Sequence, residues 1–163
     1  MERDIYMNSK IREMSKQDIY DVICLWNEFT EILGDMDEKY VDKELDDVQK
    51  NRHCEFVLKS ENCKVFVMEE SEKVVGFVEV CINEKDFDIH LDRYGYVAYY
   101  YVKPSYREAQ MMFRLYKAAE EWVIEKGVHY ICSDVDGKNE VSKKVQERLL
   151  GLEPFKIRMM KEL

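Results

Sequence analysis

Residues 100–122 read YYVKPSYREAQMMFRLYKAAEEW: an aromatic run, a proline, an arginine, then a long helical pattern. A helix start carries unpaired N–H groups and the positive end of the helix dipole, so this junction suits a phosphate or diphosphate. Glycines at such junctions let phosphate oxygens approach the backbone closely. Here Glu108, Ala109, Gln110, Met111 and Met112 follow Arg107 instead. Two readings stay open. Either the Gln110 and Met112 side chains point aside and leave the amides free, or they fill the space and the cradle has decayed. Glu108 adds a negative charge where a negative ligand would sit.

Other chemistry-bearing types are sparser. Tyr94, Tyr96, Tyr99, Tyr100 and Tyr101 form a cluster, and alternation along a strand divides it between two faces. Those on an open face can enclose a cationic group by cation–π contact; the others pack as core. The five cysteines are scattered, with no C-x-x-C pair, and His53, His90 and His129 show no i, i+4 spacing. A metal site and a disulfide framework are therefore not expected, and Cys24, Cys81 and Cys132 read as small buried hydrophobes. The net charge of -9 makes nucleic acid a poor partner and favours a cationic or neutral one, although solubility alone also explains an acidic chain.

The elements that must position these residues follow from periodicity. The 163 residues, 46% hydrophobic and 36% charged, suit a single domain spanning 1–163. No apolar run approaches the roughly 20 residues of a membrane span, and MERDIYMNSK lacks a signal-peptide core, so a cytoplasmic protein is expected. Residues 10–14 read as a strand. Ser15 and Asp18 resemble a capping box before a helix that carries Ile19, Val22, Ile23, Trp26 and Phe29 on one face and ends at Gly34. Residues 37–51 read as a second, charged helix. Strands over 64–69 and 74–82 form a hairpin across a polar turn, and 83–92 reads as a loop. A strand over 94–102, a helix over 107–126 with Gly127 as its C-cap, a strand over 128–133, a helix over 139–150 and a strand over 155–161 complete the chain. The order β-α-α-β-β-β-α-β-α-β predicts an α/β (α+β) fold, a mixed central sheet flanked by helices.

That order resembles the GNAT family of N-acetyltransferases along nearly the whole chain. The stretches that carry the likeness are VVGFVEV at 74–80, GYVAYYYVKPSYR at 95–107, and AAEEWVIEKG followed by SD at 118–134. Together they resemble the aminoglycoside 6'-N-acetyltransferase branch. The resemblance implies an acetyl-CoA cosubstrate lying in a splay between the 94–102 and 128–133 strands. It places pantetheine on the backbone near Tyr101, Val102 and Lys103, and pyrophosphate on the amides from Arg107 through Glu108, Ala109, Gln110 and Met111 to Met112. A small amine then attacks the thioester directly.

Further site residues come with the same resemblance. Asp134 matches the S-D of those relatives and is a candidate to orient or deprotonate the amine; its other reading is a turn residue. Glu79 is a candidate to hold an ammonium group, or else faces solvent. Asn139 reads as an N-cap that also contacts CoA. Asp35, Asp37, Tyr96 and Tyr99 are candidates for the acceptor pocket. The family's Tyr acid is missing from the last helix, where Val145 and Gln146 stand, and Ala98 replaces a strand Glu. These departures motivate a rival: a catalytically silent GNAT-like domain that binds another ligand or a protein. Family members often dimerise, and the apolar IRMM near the C-terminus leaves a homodimer open.

Overall fold

The computed structural model describes residues 9–37, 45–84 and 91–161. Strand β1 (Lys10–Glu13) leads through a 3-10 turn (Lys16–Asp18) into helix α1 (Ile19–Met36). Asp18 does more than cap. Its carboxylate takes a bidentate pair from Arg12 at 2.7 and 2.9 Å and the Ser15 N–H at 2.7 Å. The Arg12 bonds are the main reason its pKa falls to about 2. Arg12 also reaches Glu69, so β1, the turn and the neighbouring strand are tied by one guanidinium.

Helix α2 spans Asp47–Lys59, ten residues later than the sequence suggests. Asp46 caps it, accepting from the Gln49 N–H at 2.8 Å while the Gln49 side chain takes the Asp46 N–H. That reciprocal box sets the start of the helix. Tyr40 and Val41, assigned to this helix from sequence, lie outside the described residues.

Strands β2 (Cys63–Glu70) and β3 (Lys73–Glu84) make the expected hairpin. Its two-residue turn holds Ser71 and Glu72 at φ 49° and 65°. Cys63 stands directly across from Cys81 and is disulfide-bonded to it. Sequence spacing hid this pair, because antiparallel register, not sequence distance, brings the two together. Strand β4 (Arg93–Val102), helix α3 (Ala109–Glu125), strand β5 (Ile131–Ser133) and helix α4 (Glu140–Arg148) follow. Gly127 ends α3 at φ 70°, a left-handed C-cap. Residues 155–161 do not form the expected strand: 153–161 are exposed throughout and carry no regular structure.

The five-stranded sheet runs β1-β2-β3-β4-β5, antiparallel except for the parallel β4–β5 pair. One face packs on α3, with Phe66, Met68, Val78, Val80, Val97 and Val102 meeting Met111, Leu115 and Ala119. The other packs on α1 and α2, with Val65, Val67, Phe77 and Tyr101 meeting Val22, Trp26 and Val57. Fully burying each such side chain contributes about 1.5–3 kcal/mol, and these two layers fix the sheet between its helices.

Candidate active site

The β3–β4 register shifts between Glu79 and Val80, whose partners are Tyr99 and Val97. Ala98 is thus the extra residue of a β-bulge, and the side-chain alternation of β4 reverses there. Strict alternation separates Tyr96 from Tyr99. The bulge instead puts Tyr94, Tyr96, Tyr99 and Tyr101 all on the α1/α2 face, and leaves Tyr100 on the α3 face.

Strand β5 pairs with β4 only at Gly95, Tyr96 and Val97. From the bulge onward β4 continues without it, so the sheet splits between residues 98–102 and the chain after Ser133. Asp134 stands at this fork and accepts from the Tyr96 hydroxyl at 3.0 Å. Burial, then the Asp134 charge, pushes the Tyr96 phenol upward, so it stays protonated as the donor. At the other end of the split, the Lys103 N–H turns to Val75 on β3 at 2.9 Å. By strand alternation the Val102 peptide groups face the open edge. Arg107 Nε donates to the Val102 carbonyl at 2.7 Å, and its guanidinium lies 5.4 Å over the Tyr101 ring.

The start of α3 sits beside that edge. Helical residues begin at Ala109, with Glu108 as N-cap and no side-chain cap. The Arg107, Glu108 and Met112 N–H groups are bonded to Pro104, Tyr106 and Glu108 carbonyls. No acceptor among the described residues takes the N–H of Ala109, Gln110 or Met111. Gln110 is exposed, Met111 is buried in the core, and Met112 packs against the same core. The methionine side chains therefore occupy the interior, and the open amides fit a diphosphate. Asn139 caps α4, accepting from the Ser142 N–H at 3.0 Å.

The candidate acceptor residues spread along α1 and past it. Asp35 is exposed and lines a hollow of about 360 Å³ with Asn27, Thr30, Glu31, Gly34 and Lys50. Asp37 pairs with Lys138 at 2.8 Å, joining the end of α1 to the segment before α4. Glu28, unremarked in the sequence, accepts from the Tyr101 hydroxyl at 3.1 Å and pairs with Lys103 at 3.2 Å. Tyr99 packs against Trp26 at a tilt, with centroids 4.4 Å apart.

Glu79 is not solvent-facing. It is 3% exposed, and both its oxygens contact His53 Nε2, at 2.8 and 3.0 Å. The Glu79 bond raises the His53 pKa, against the opposing effect of burial. His53 has no metal spacing in the sequence, and the late start of α2 hid the face it shares with Lys50, Cys54 and Val57. The described residues contain no cluster of metal-ligating side chains and no helix long and apolar enough to cross a membrane.

The family model of the Acetyltransferase (GNAT) family matches residues 25–152, and the chain belongs to that family. It is an N-acetyltransferase with acetyl-CoA as cosubstrate. No curated protein matches it in sequence. Among solved structures it is similar to the aminoglycoside N-acetyltransferase AAC(6')-Iy in complex with CoA, at 19% identity, covering 94% of this chain and 98% of that one, TM-score 0.74. It is also similar to an aminoglycoside acetyltransferase from an uncultured soil metagenomic sample in complex with sisomicin (17% identity, 98% and 99% covered, TM-score 0.72). A protein from Bacillus halodurans superposes with TM-score 0.80 at 20% identity over 94% and 99% of the chains.

Proposed function

We propose that this protein transfers the acetyl group of acetyl-CoA to a small, cationic amine of aminoglycoside or polyamine type, in the cytoplasm where acetyl-CoA is made. The observation that carries this reading is the split between β4 and β5, which opens beside the unpaired amides of Ala109, Gln110 and Met111. Those amides and Arg107 take the pyrophosphate. The β4 edge at Tyr101, Val102 and Lys103 takes the pantetheine arm, and Asn139 contacts CoA from the start of α4.

Tyr96, bonded to Asp134 at the fork, and Tyr99 stand on the α1/α2 side of the sheet, so the acceptor enters from that side. Asp134 at the fork, Asp35 and the tyrosine wall of Tyr96 and Tyr99 supply negative and aromatic groups to a cation. The ammonium loses a proton, its lone pair attacks the thioester carbonyl carbon, and the tetrahedral oxyanion collapses with loss of the CoA thiolate. The thiolate leaves readily and takes up a proton, so the missing Tyr on the last helix does not block transfer.

The same reading includes a homodimer. Phe155, Ile157 and Met159 are 76–87% exposed and alternate with Lys156 and Arg158. These exposed apolar side chains offer a second copy a hydrophobic contact.

The test is titration calorimetry of acetyl-CoA in low-phosphate buffer, followed by a thiol-release assay with sisomicin, spermidine and an amino-acid ester. Micromolar acetyl-CoA binding and release with a polyamine or aminoglycoside are expected. Absence of binding at millimolar ligand sinks the cradle, and release only with the amino-acid ester sinks the acceptor class.

A further inference from the structure

Glu79 occupies the middle of the sheet, where a carboxylate is costly unless paired. No lysine or arginine lies within salt-bridge distance of it among the described residues; its contacts are His53 Nε2 and, at 4.0 Å, Cys81 Sγ. A purely structural layer at this position would be served by another valine, as at Val65 and Val67 on the same face. The ionisable pair therefore calls for a different explanation.

Its position supplies one. Glu79 lies directly across β3–β4 from Tyr99, the first residue after the bulge, so the pair sits level with the opening of the split. It sits on the α1/α2 face, from which the acceptor enters. His53 reaches down from α2, stands edge-on to Trp26 at 5.4 Å, and its side chain is 35% exposed. Trp26 in turn packs against Tyr99. One imidazole thus spans from a buried carboxylate to water beside the aromatic wall of the acceptor side.

We infer that His53 is the proton acceptor for the amine and that Glu79 is its positioning residue. The inference rests on the acetyltransferase reading and deepens it. Glu79 accepts the Nε2–H, which fixes the tautomer and leaves the Nδ1 lone pair as the base. The acceptor ammonium gives one N–H proton to Nδ1, directly or through one water. The amine nitrogen keeps the bonding pair, and the resulting imidazolium is held by Glu79. The proton then leaves to solvent through the exposed part of the ring. The charged and titratable groups around the imidazole are Glu79 on β3, Lys50 and Cys54 on α2, and Tyr99 on β4. Lys50 lies 5.7 Å over the Trp26 ring and is bonded to Asn27, and Glu79, in direct contact, favours the imidazolium against the effect of burial.

The experiment pairs kinetics with NMR on the full chain, which has only three histidines. Thiol release with sisomicin and spermidine is measured from pH 5.5 to pH 9 for wild type, His53→Gln and Glu79→Gln, and the His53 ring is titrated by NMR in wild type and Glu79→Gln. Circular dichroism confirms that the variants fold. Wild type should show an acid limb in kcat/KM whose midpoint matches the His53 titration, above 6.5. Glu79→Gln should move both midpoints down together. His53→Gln should remove the limb and lower kcat about 100-fold, leaving the KM for acetyl-CoA within twofold. An active wild type whose profile His53→Gln reproduces overturns the inference and leaves the acetyltransferase reading standing. A wild type inactive with both amines counts against the acceptor class. In that case a His53 midpoint at or below 6.5, or one that Glu79→Gln leaves in place, overturns the pairing on its own.

Discussion

The Nε of Arg107 donates to the Val102 carbonyl at 2.7 Å, so the last residue of β4 is held to the turn that opens α3. The bond joins the two surfaces assigned to the cosubstrate: the open strand edge and the uncapped helix start. In the proposed cradle Arg107 therefore orders the backbone as well as adding positive charge. Arg107→Ala should weaken acetyl-CoA binding about tenfold, while Arg107→Lys, which keeps the charge and loses the planar donor, recovers only part of it. Titration calorimetry of both variants checks this; equal affinity in Arg107→Ala and wild type would contradict it.

Gln110 and Met112 replace the glycines usual at such a helix start, yet they differ in kind. Gln110 is exposed at a free amide, and Met112 packs against the core while its carbonyl accepts from the Tyr100 hydroxyl at 2.7 Å. Gln110→Gly should change acetyl-CoA affinity less than threefold. Met112→Gly should destabilise the fold by about 2–4 kcal/mol, from lost burial plus the helix penalty of glycine. Urea unfolding separates the two; a large affinity gain in Gln110→Gly would show that its side chain obstructs the cradle.

The β2–β3 turn holds two L-residues, Ser71 and Glu72, in left-handed backbone at φ 49° and 65°. A two-residue turn of this kind prefers Asn-Gly. The double change Ser71→Asn, Glu72→Gly should stabilise the protein by about 1 kcal/mol, raising Tm by roughly 2–4 °C. A thermal melt at fixed protein concentration measures it, and an unchanged or lower Tm would mean the turn carries no such penalty.

Residues 153–161 are exposed and include the apolar side chains of Phe155, Ile157, Met159 and Met160. Sedimentation of wild type should give a dimer at micromolar concentration. The pair Ile157→Lys, Met159→Lys should give a monomer whose circular dichroism is unchanged. A monomeric wild type removes the dimer.

Much of the fold was legible from local pattern. The amphipathic α1, the β2–β3 hairpin, the proline-stopped β4 and the glycine-ended α3 each follow from periods of 3.6 or 2 and from turn chemistry that acts within a few residues. Helix α2 starts at Asp47 because the reciprocal Asp46–Gln49 box sets it there, a pairing the sequence reading does not pick out. The strand expected at 155–161 has strand-like alternation, but a strand also needs a partner ladder, and none of the described strands pairs with it.

The sequence by itself determined the local pattern of the junction: a strand stopped by Pro104, an arginine, and the head of a helix. These are local quantities, set by residues adjacent in the chain. Only the tertiary structure decided what stands beside what. The bulge at Ala98 gathered four tyrosines on one face, register joined Cys63 to Cys81, and packing of α2 on β2 and α1 carried His53 to Glu79 across 26 positions. The physical reason is that burial and pairing energies act through space, so a strand carboxylate with two local readings becomes the buried partner of an imidazole once the helices cover it.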